Sequence, residues 1–422
     1  MSAVKVVVTG ATGQVAYALL PRIASGEMFG PDTDIDLRLS DIPQMIDKAK
    51  GVLMELEDGA YPLLERVSAS ADRAETHGRA DWVLLVGSVP RGPGMERGDL
   101  IRKNGPIFVE EGQAIQRYAS SAARVVVVGN PCNTNCLIAR ANAHTVPDDR
   151  WSAMTRLDQN RARSLLAAKA VARVRDVKKL AIWGNHSATL YPDFTNAEVN
   201  GKRADQVVDR KWLETEYIPQ VQQRGAAVIA ARGASSAFSA AQALVDHVRS
   251  LITPTPKGDC FSAAIVSDGS YGVPKGLVSS FPLHSKGDGG FQIVPNVPLD
   301  DFAKTKIGAT VAELEKERDL VRIGFHVQVP DGHVCRVLEE RLHECGSGAV
   351  AVRAGSRNAF RLLEGGEGLL RERTEPRAAT AHLFGVHEAE VREIPLKERD
   401  LVAHIVERQT RGGNVAVVRD RA

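Results

Sequence analysis

The first half of the chain alternates short apolar runs with segments of helical periodicity. Four runs rich in β-branched residues predict strands: Val4–Thr9, Asp36–Ser40, Trp82–Gly87 and Arg124–Gly129. Amphipathic stretches, such as Gln14–Ser25 and Gln44–Gly59, lie between them. Nearly continuous apolar strands separated by helices are typical of a parallel sheet that is covered on both faces. The pattern therefore predicts an α/β domain with a doubly wound parallel sheet over residues 1–150.

A different pattern begins near Asp149. Helical periodicity dominates, and the strand-like runs are separated by turns. The predicted elements are a helix over Met154–Arg173, a strand over Lys179–Trp183, a helix around Ser235–Ser250, strands over Phe261–Val266 and Phe291–Val294, and a charged helix over Asp300–Phe325. We predict an α+β second domain over residues 151–329.

The composition changes again after Pro330. From Asp331 to Ala422 the chain has one lysine, Lys397, but five of its 11 histidines. Gly/Pro-rich joints separate short strand and helix patterns, and the final stretch from Val391 predicts a strand, a helix and a strand. We therefore predict a small extra C-terminal domain over residues 330–422, α+β in class, whose pattern does not indicate its role.

Composition and charge limit the function classes. The 422 residues are 43% hydrophobic and 25% charged, as in globular proteins, and the net charge of +2 gives no basic excess for nucleic acid. No apolar run is long enough for a membrane span, and the chain enters its first strand without a signal-peptide pattern. Five scattered cysteines are typical of reduced thiols. We expect a cytoplasmic protein with neither nucleic acid nor membrane as partner.

Candidate metal ligands do not form a recognised pattern. Cys132 and Cys136 lack a second pair of ligands at zinc spacing, so packing explains them better. A further group in the C-terminal region consists of His333, Cys335, His343 and Cys345. No flanking turn brings these four together, and we predict no metal site.

The first strand leads into a glycine turn with the spacing GxxGxxA. This turn consists of Gly10, Ala11, Thr12, Gly13, Gln14, Val15 and Ala16, and a helix pattern starts within it. Backbone N–H groups and the helix dipole at such a turn can bind a pyrophosphate, although a plain strand-to-helix turn has the same pattern. Asp41 follows the second strand, where a carboxylate can accept hydrogen bonds from ribose hydroxyls and repel a 2′-phosphate. Together they predict a dinucleotide site that favours NAD over NADP.

Three later segments carry candidate chemistry. A Gly/Pro-rich loop over Gly87–Leu100 contains Arg91 and Arg97, while Asp158 and Arg161 share a helix face at i and i+3. His186 lies in a loop after a predicted strand. A histidine can exchange a proton near neutral pH, a carboxylate behind it fixes its tautomer, and a guanidinium binds a carboxylate bidentately.

Each segment also has an ordinary explanation: a loop or core histidine, a helix ion pair, and a solvated loop. Their joint occurrence, in this order and behind a nucleotide turn, favours an enzyme that oxidises a secondary alcohol by hydride transfer.

Eight blocks of the sequence strengthen this prediction. They are TGATGQVAYALLPRIASGEMFG, GVLMELEDGAYPLL, LVGSVPRGPGMERGDLI, VVVGNPCNTNC, TRLDQNRA, IWGNHSATLYPD, VQQRGAAVI and VSDGSYGVP. With them the chain, from Val4 to about Phe325, resembles the cytosolic-type malate dehydrogenase branch of the lactate/malate dehydrogenase superfamily. The resemblance implies a Rossmann-type NAD-binding domain, malate and oxaloacetate as substrates, a homodimer and a role in the tricarboxylic acid cycle.

The resemblance also implies residue roles. His186 would be the proton acceptor and donor, and Asp158 its partner. Arg161 would hold the carboxylate next to the reacting carbon, Arg97 would polarise the carbonyl, and Arg91 would bind the distal carboxylate. Asn130 would touch substrate and nicotinamide, and the further cofactor contacts would be Asn104, Glu111, Val128 and Gly129 with Gly10–Ala16 and Asp41.

The sequence departs from the family at three places: Ala16 replaces the usual third glycine, Glu111 replaces the usual glutamine, and the region after Phe325 has no recognised counterpart. A carboxylate cannot donate as an amide does, so the cofactor contact of Glu111 is in doubt. Two alternatives stay open. A lactate-type dehydrogenase would have an uncharged residue at position 91, and a non-catalytic NAD-binding regulator would have lost His186, Asp158 or an arginine.

Overall fold

The computed structural model describes residues 3–90, 95–324, 349–354 and 359–364. The strands among them are β1 (Val4–Thr9), β2 (Ile35–Ser40), β3 (Leu64–Ser70), β4 (Trp82–Leu85), β5 (Arg124–Val127), β6 (Trp151–Ala153), β7 (Val177–Lys178), β8 (Ala181–Trp183), β9 (Tyr191–Asp193), β10 (Glu198–Val199), β11 (Lys202–Arg203), β12 (Phe261–Val266), β13 (Val278–His284), β14 (Gln292–Ile293), β15 (Ala349–Ala354) and β16 (Ala359–Glu364).

The helices of the described residues are α1 (Gln14–Ala24), α2 (Ile46–Asp58), α3 (Arg73–His77), α4 (Arg97–Tyr118), α5 (Cys132–Ala141), α6 (Arg156–Lys169), α7 (Ala204–Val207), α8 (Arg210–Trp212), α9 (Ile218–Arg232), α10 (Phe238–Ile252) and α11 (Asp301–Gly324). Among them, none has both the length and the apolar character that a membrane crossing requires.

A nine-stranded sheet organises the fold, in the order β14-β13-β12-β6-β5-β4-β1-β2-β3. The six strands from β3 to β6 are parallel and have the order 3-2-1-4-5-6, which confirms the predicted Rossmann-type doubly wound sheet. Strands β12, β13 and β14 extend it in antiparallel fashion beyond β6. Because the strand order reverses between β1 and β4, a crevice opens at the carboxyl ends of these two strands.

Apolar layers cover both faces of this sheet. Along β1, Val6 and Val8 belong to one buried cluster, and Val7, which points the opposite way, belongs to the other. Helix α1 packs Leu19, Leu20 and other apolar residues into the first cluster. A strand that is buried on both faces needs the nearly unbroken apolar sequence that β1 has, which explains why its position could be predicted.

The main difference from the sequence prediction lies in the loop expected over Gly87–Leu100. Helix α4 begins inside it at Arg97, and a capping box of Glu96 and Asp99 fixes its first turn. Pro106 and several glycines within α4 lower its helix propensity and conceal it in the sequence. Gly112 is needed there by packing, because a Cβ atom at this position would lie 2.2 Å from the carbonyl oxygen of Ala139 on α5.

The chain divides into two compact units, Met1–Gln328 and Val329–Ala422. The first contains the whole nine-stranded sheet, which crosses the domain boundary predicted after residue 150. In the second, β15 and β16 pair in antiparallel fashion, with Ala349 opposite Glu364. The strand, helix and strand predicted from Val391 lie outside the described residues.

Candidate active site

The glycine turn lies at the carboxyl end of β1, as predicted. Gly10 has φ +60°, and a Cβ atom there would lie 2.5 Å from the Cα of Gly87, so this crossing requires glycine. Gly13 is the N-cap of α1, and no side chain caps the first amides of the helix. Those N–H groups and the helix dipole fit an anionic pyrophosphate. Ala16 is fully buried, so its methyl group is accommodated between the helix and the sheet.

Asp41 lies beside the same turn, directly after β2. Its Oδ2 accepts hydrogen bonds of 2.9 Å from the backbone N–H and the hydroxyl of Thr12, and its Oδ1 accepts one from the N–H of Ile42. The fold therefore anchors a carboxylate next to the proposed pyrophosphate site. It lies at the end of the second strand, where the acidic residue that contacts the ribose is expected in a dinucleotide-binding domain.

Asn104 makes three hydrogen bonds within the protein, and its predicted cofactor contact stays a prediction. Its side chain is fully buried on α4, and its Nδ2 donates to the carbonyl oxygens of Val89 and Asn130 over 3.1 and 2.8 Å. Its Oδ1 accepts a 2.8 Å hydrogen bond from the N–H of Val89. Both amide hydrogens are thus used by the protein, and Asn104 braces the loops that follow β4 and β5.

The loop after β5 carries three predicted contact residues, Val128, Gly129 and Asn130. Gly129 is buried, and a Cβ atom there would lie within 3 Å of Ser88 and Phe108, so the site has no room for a side chain. Asn130 is exposed at the end of this loop, on the same edge of the sheet as the glycine turn. Its contact with substrate and nicotinamide stays a prediction.

Asp158 and His186 form the central pair of the site. Asp158 is 1% exposed on α6, and its Oδ2 lies 2.5 Å from Nδ1 of His186. A carboxylate at this nitrogen favours the tautomer with a proton on Nδ1, which leaves Nε2 to accept a proton. The side chain of His186 keeps 19% of its surface exposed, so the ring is accessible.

Asn133, which the sequence analysis did not single out, holds the backbone of this loop. It is fully buried at the start of α5, and its Oδ1 accepts a 3.1 Å hydrogen bond from the N–H of His186. Its Nδ2 donates to the carbonyl oxygens of Gly184 and Val278. No local sequence signal predicts this, because the partners are distant in the chain.

Arg161 completes the predicted helix face. Its Nη1 lies 3.6 Å from Oδ1 of Asp158, and its Nη2 donates to the hydroxyl of Ser236 over 3.0 Å. Burial lowers the pKa of this guanidinium, while the charge of Asp158 partly opposes that shift. The remaining N–H groups can bind a substrate carboxylate.

Arg97 contacts the loop that carries His186. Its Nη1 lies 3.5 Å from the carbonyl oxygen of His186, its Nη2 donates to Oδ1 of Asn185 over 3.1 Å, and its Nε donates to Glu317 on α11. The structure thus brings Arg97, Asp158, Arg161 and His186 to one place. Arg91, the second predicted arginine of the loop, lies outside the described residues.

Glu111 has two partners within the protein, and its predicted cofactor contact stays a prediction. It is 5% exposed on α4, with one carboxylate oxygen 3.0 Å from Arg73 and the other 3.1 Å from His77. Burial alone would raise the pKa of Glu111, but contact with His77 and Arg73 outweighs that penalty and lowers it. The carboxylate that replaces the family's usual glutamine therefore closes a buried ion cluster between α3 and α4.

The cysteines of this region are packing residues. Cys132 and Cys136 are buried, and burial raises the pKa of Cys132 to about 12. Within the described ranges, no three His, Cys, Asp or Glu side chains are grouped as metal ligands would be. His333, Cys335, His343 and Cys345 lie outside those ranges.

Both halves of the described core match known family models. Residues 4–150 match the lactate/malate dehydrogenase NAD binding domain, and residues 155–322 match the lactate/malate dehydrogenase alpha/beta C-terminal domain.

Individual relatives agree with this match. The chain is 54% identical over 320 residues to a malate dehydrogenase of Magnetococcus marinus, which covers 76% of this chain and 97% of the relative. The crystal structure of malate dehydrogenase from Naegleria fowleri aligns with a TM-score of 0.74 at 40% identity, over 77% of this chain and 99% of that chain. A lactate dehydrogenase of Trichomonas vaginalis, solved with NADH and oxamate, aligns with a TM-score of 0.74 at 33% identity. The alignment covers 76% of this chain and 99% of that chain.

The Glu111 cluster predicts a pH-dependent contribution to stability. A folded pKa below the unfolded value of about 4.3 stabilises the protein above that pH, and this contribution is lost as the pH falls through the folded pKa. Glu111→Gln should therefore lower the free energy of unfolding at pH 7 by on the order of 1–3 kcal/mol, with a smaller loss near pH 4. Urea unfolding at both pH values measures this, with Glu75→Gln, at an exposed position of α3, as the control. An equal loss at both pH values would contradict the assignment.

Proposed function

Since this chain belongs to the lactate/malate dehydrogenase family, we propose that it is an NAD-dependent malate dehydrogenase that interconverts (S)-malate and oxaloacetate. The observation that carries the proposal is the 2.5 Å contact of Asp158 with His186, with Arg161 beside the acid and Arg97 beside the backbone of the histidine. This arrangement supports a proton acceptor with two guanidinium groups nearby, as the oxidation of a 2-hydroxy acid requires.

The chain's own groups divide the work as follows. Arg161 binds the carboxylate next to the reacting carbon and so orients the substrate. Nε2 of His186 takes the hydroxyl proton, and Asp158 stabilises the imidazolium that forms. Arg97 donates to the developing carbonyl oxygen and stabilises its partial negative charge. The glycine turn and Asp41 would hold NAD, which would supply the hydride acceptor for malate oxidation.

Malate is favoured over lactate as the substrate by two considerations. The 54% identical relative is named a malate dehydrogenase. Arg91 would give the distal carboxylate of malate a guanidinium partner, which a monocarboxylic substrate does not need. The lactate-type alternative is tested by comparing kcat/KM for oxaloacetate with that for pyruvate.

A non-catalytic regulator is disfavoured because His186, Asp158 and the arginines are all present.

We also propose a cytoplasmic homodimer that serves the tricarboxylic acid cycle. The described cysteines are free thiols, as a reducing compartment requires. Exposed apolar side chains on α1, α2, α9 and α10 could be covered by a second copy: Tyr17, Met54, Ile229 and Phe238. Light scattering that gives the molar mass of a single chain would exclude the dimer.

The acid–base assignment predicts the effect of one substitution. His186→Ala should leave NADH binding intact and lower the turnover of oxaloacetate at least ~10²-fold, because the positioned proton donor is lost. Steady-state kinetics and NADH fluorescence titration measure the two effects, and His144→Ala, at an exposed histidine, is the control. Nearly normal turnover in His186→Ala would refute the mechanism.

The position of Asp41 predicts the cofactor preference. The wild type should use NADH far better than NADPH, and Asp41→Ser should reduce this preference at least ~10-fold, because the ribose acceptor and the charge that repels a 2′-phosphate are both lost. The ratio of kcat/KM for the two cofactors measures it. The matched control is Asp47→Ser, whose side chain on α2 is 96% exposed. A preference that is unchanged in Asp41→Ser would exclude this role.

A further inference from the structure

Helix α11 contributes a buried carboxylate to the site. Glu317 is 4% exposed, and its Oε1 accepts a hydrogen bond from Nε of Arg97, which is 220 residues away in the chain. The geometry assigns Glu317 as a positioning residue that fixes the guanidinium of Arg97 beside His186. This inference rests on the proposed function, in which Arg97 stabilises the carbonyl oxygen.

Glu317 is itself held from two sides. The hydroxyl of Thr134 donates to its Oε2, and Nδ2 of Asn185 donates to its Oε1 over 2.8 Å. Thr134 and Asn185 are both buried, at 3% and 0% exposure. A buried carboxylate is costly unless a cation pairs with it, and among the described contacts Arg97 is the cation that does so. The positions of Arg97 and Glu317 therefore depend on each other.

Arg97 is fixed at both of its ends. Its backbone begins α4, where the capping box of Glu96 and Asp99 restrains the first turn. Its guanidinium bridges α11 and the loop that carries His186, since it contacts Glu317, Asn185 and the carbonyl oxygen of His186. Preorganised donors of this kind stabilise charge without reorganisation during the reaction.

The pairing does not prevent Arg97 from binding a substrate oxygen. A guanidinium has five N–H groups, one on Nε and two on each Nη. The three protein contacts occupy one N–H on each nitrogen, which leaves one on each Nη. Substrate can therefore bind while the ion pair is intact. This favours a positioning role for Glu317 over an ion pair that must break before substrate binds.

Glu313, one turn earlier on α11, supports the same loop. Its Oε2 accepts hydrogen bonds from Nδ2 of Asn185 and from the hydroxyls of Ser187 and Thr189. Burial would raise the pKa of Glu313, but these hydrogen bonds and the charge of Arg97 outweigh it and lower the pKa. The ionised Glu313 holds the loop, and this leaves Glu317 as the partner of the arginine.

The test is Glu317→Gln in the full chain. A neutral amide keeps the size of the side chain but loses the charge that holds Arg97, and a displacement of about 1 Å at a catalytic group can cost on the order of 10²-fold. We expect kcat/KM for oxaloacetate to fall about 10- to 100-fold, with an unchanged Kd for NADH. The matched control is Glu315→Gln on the same helix, where the side chain is 41% exposed; it should behave like the wild type.

Measuring the effect of Glu317→Gln in an Arg97→Ala protein distinguishes a positioning role from a general structural effect. If Glu317 acts through Arg97, then Glu317→Gln should cause little further loss of kcat/KM in an Arg97→Ala protein. An equal fold-change in kcat/KM in the wild-type and Arg97→Ala proteins, or equal kinetics in Glu317→Gln and Glu315→Gln, would overturn the inference.

If Glu317→Gln does not fold, Glu317→Asp keeps the charge on a shorter side chain. It should lower kcat/KM with normal NADH binding, and unchanged kinetics would overturn the inference. A wild type that does not reduce oxaloacetate would instead refute the proposed function.

Discussion

The burial of one carboxylate organises the catalytic centre. Asp158 is 1% exposed, and a charge so removed from water is costly unless donors and cations face it. His186 and Arg161 supply them, from the loop after β8 and from the next turn of α6. The pairing of Asp158 therefore brings together His186, the proposed proton acceptor, and Arg161, the proposed partner of the substrate carboxylate.

The same principle operates around Arg97 and the loop that carries His186. Glu317 and Glu313 on α11 bind Arg97 and the side chains that flank the histidine loop. Two elements that are far apart in the chain, α6 and α11, thus each place a buried acid behind a functional group. This pairing favours a preorganised site, because a movement of an arginine or of the loop would leave a buried charge unpaired.

The sequence predicted what depends on local pattern. The parallel strands, the glycine turn and the Asp158–Arg161 face all depend on residues close together in the chain, and the structure has them where they were expected. Helix α4 was missed because Pro106 and its glycines weaken the helical pattern, and Gly112 is needed for contact with α5 rather than for a loop. The roles of Asn104, Glu111 and Glu317 depend on partners that only the fold brings near, and no spacing rule reveals such pairs.

In the proposed mechanism, the buried acid Asp158 makes His186 a proton acceptor for a dicarboxylic 2-hydroxy acid. The most direct measurement is the turnover of oxaloacetate by Asp158→Asn, with NADH affinity measured in parallel and with the exposed Asp149→Asn as the control. The amide cannot stabilise the imidazolium, so kcat should fall at least ~10²-fold while the Kd for NADH stays unchanged. Turnover in Asp158→Asn equal to that of Asp149→Asn would contradict the claim.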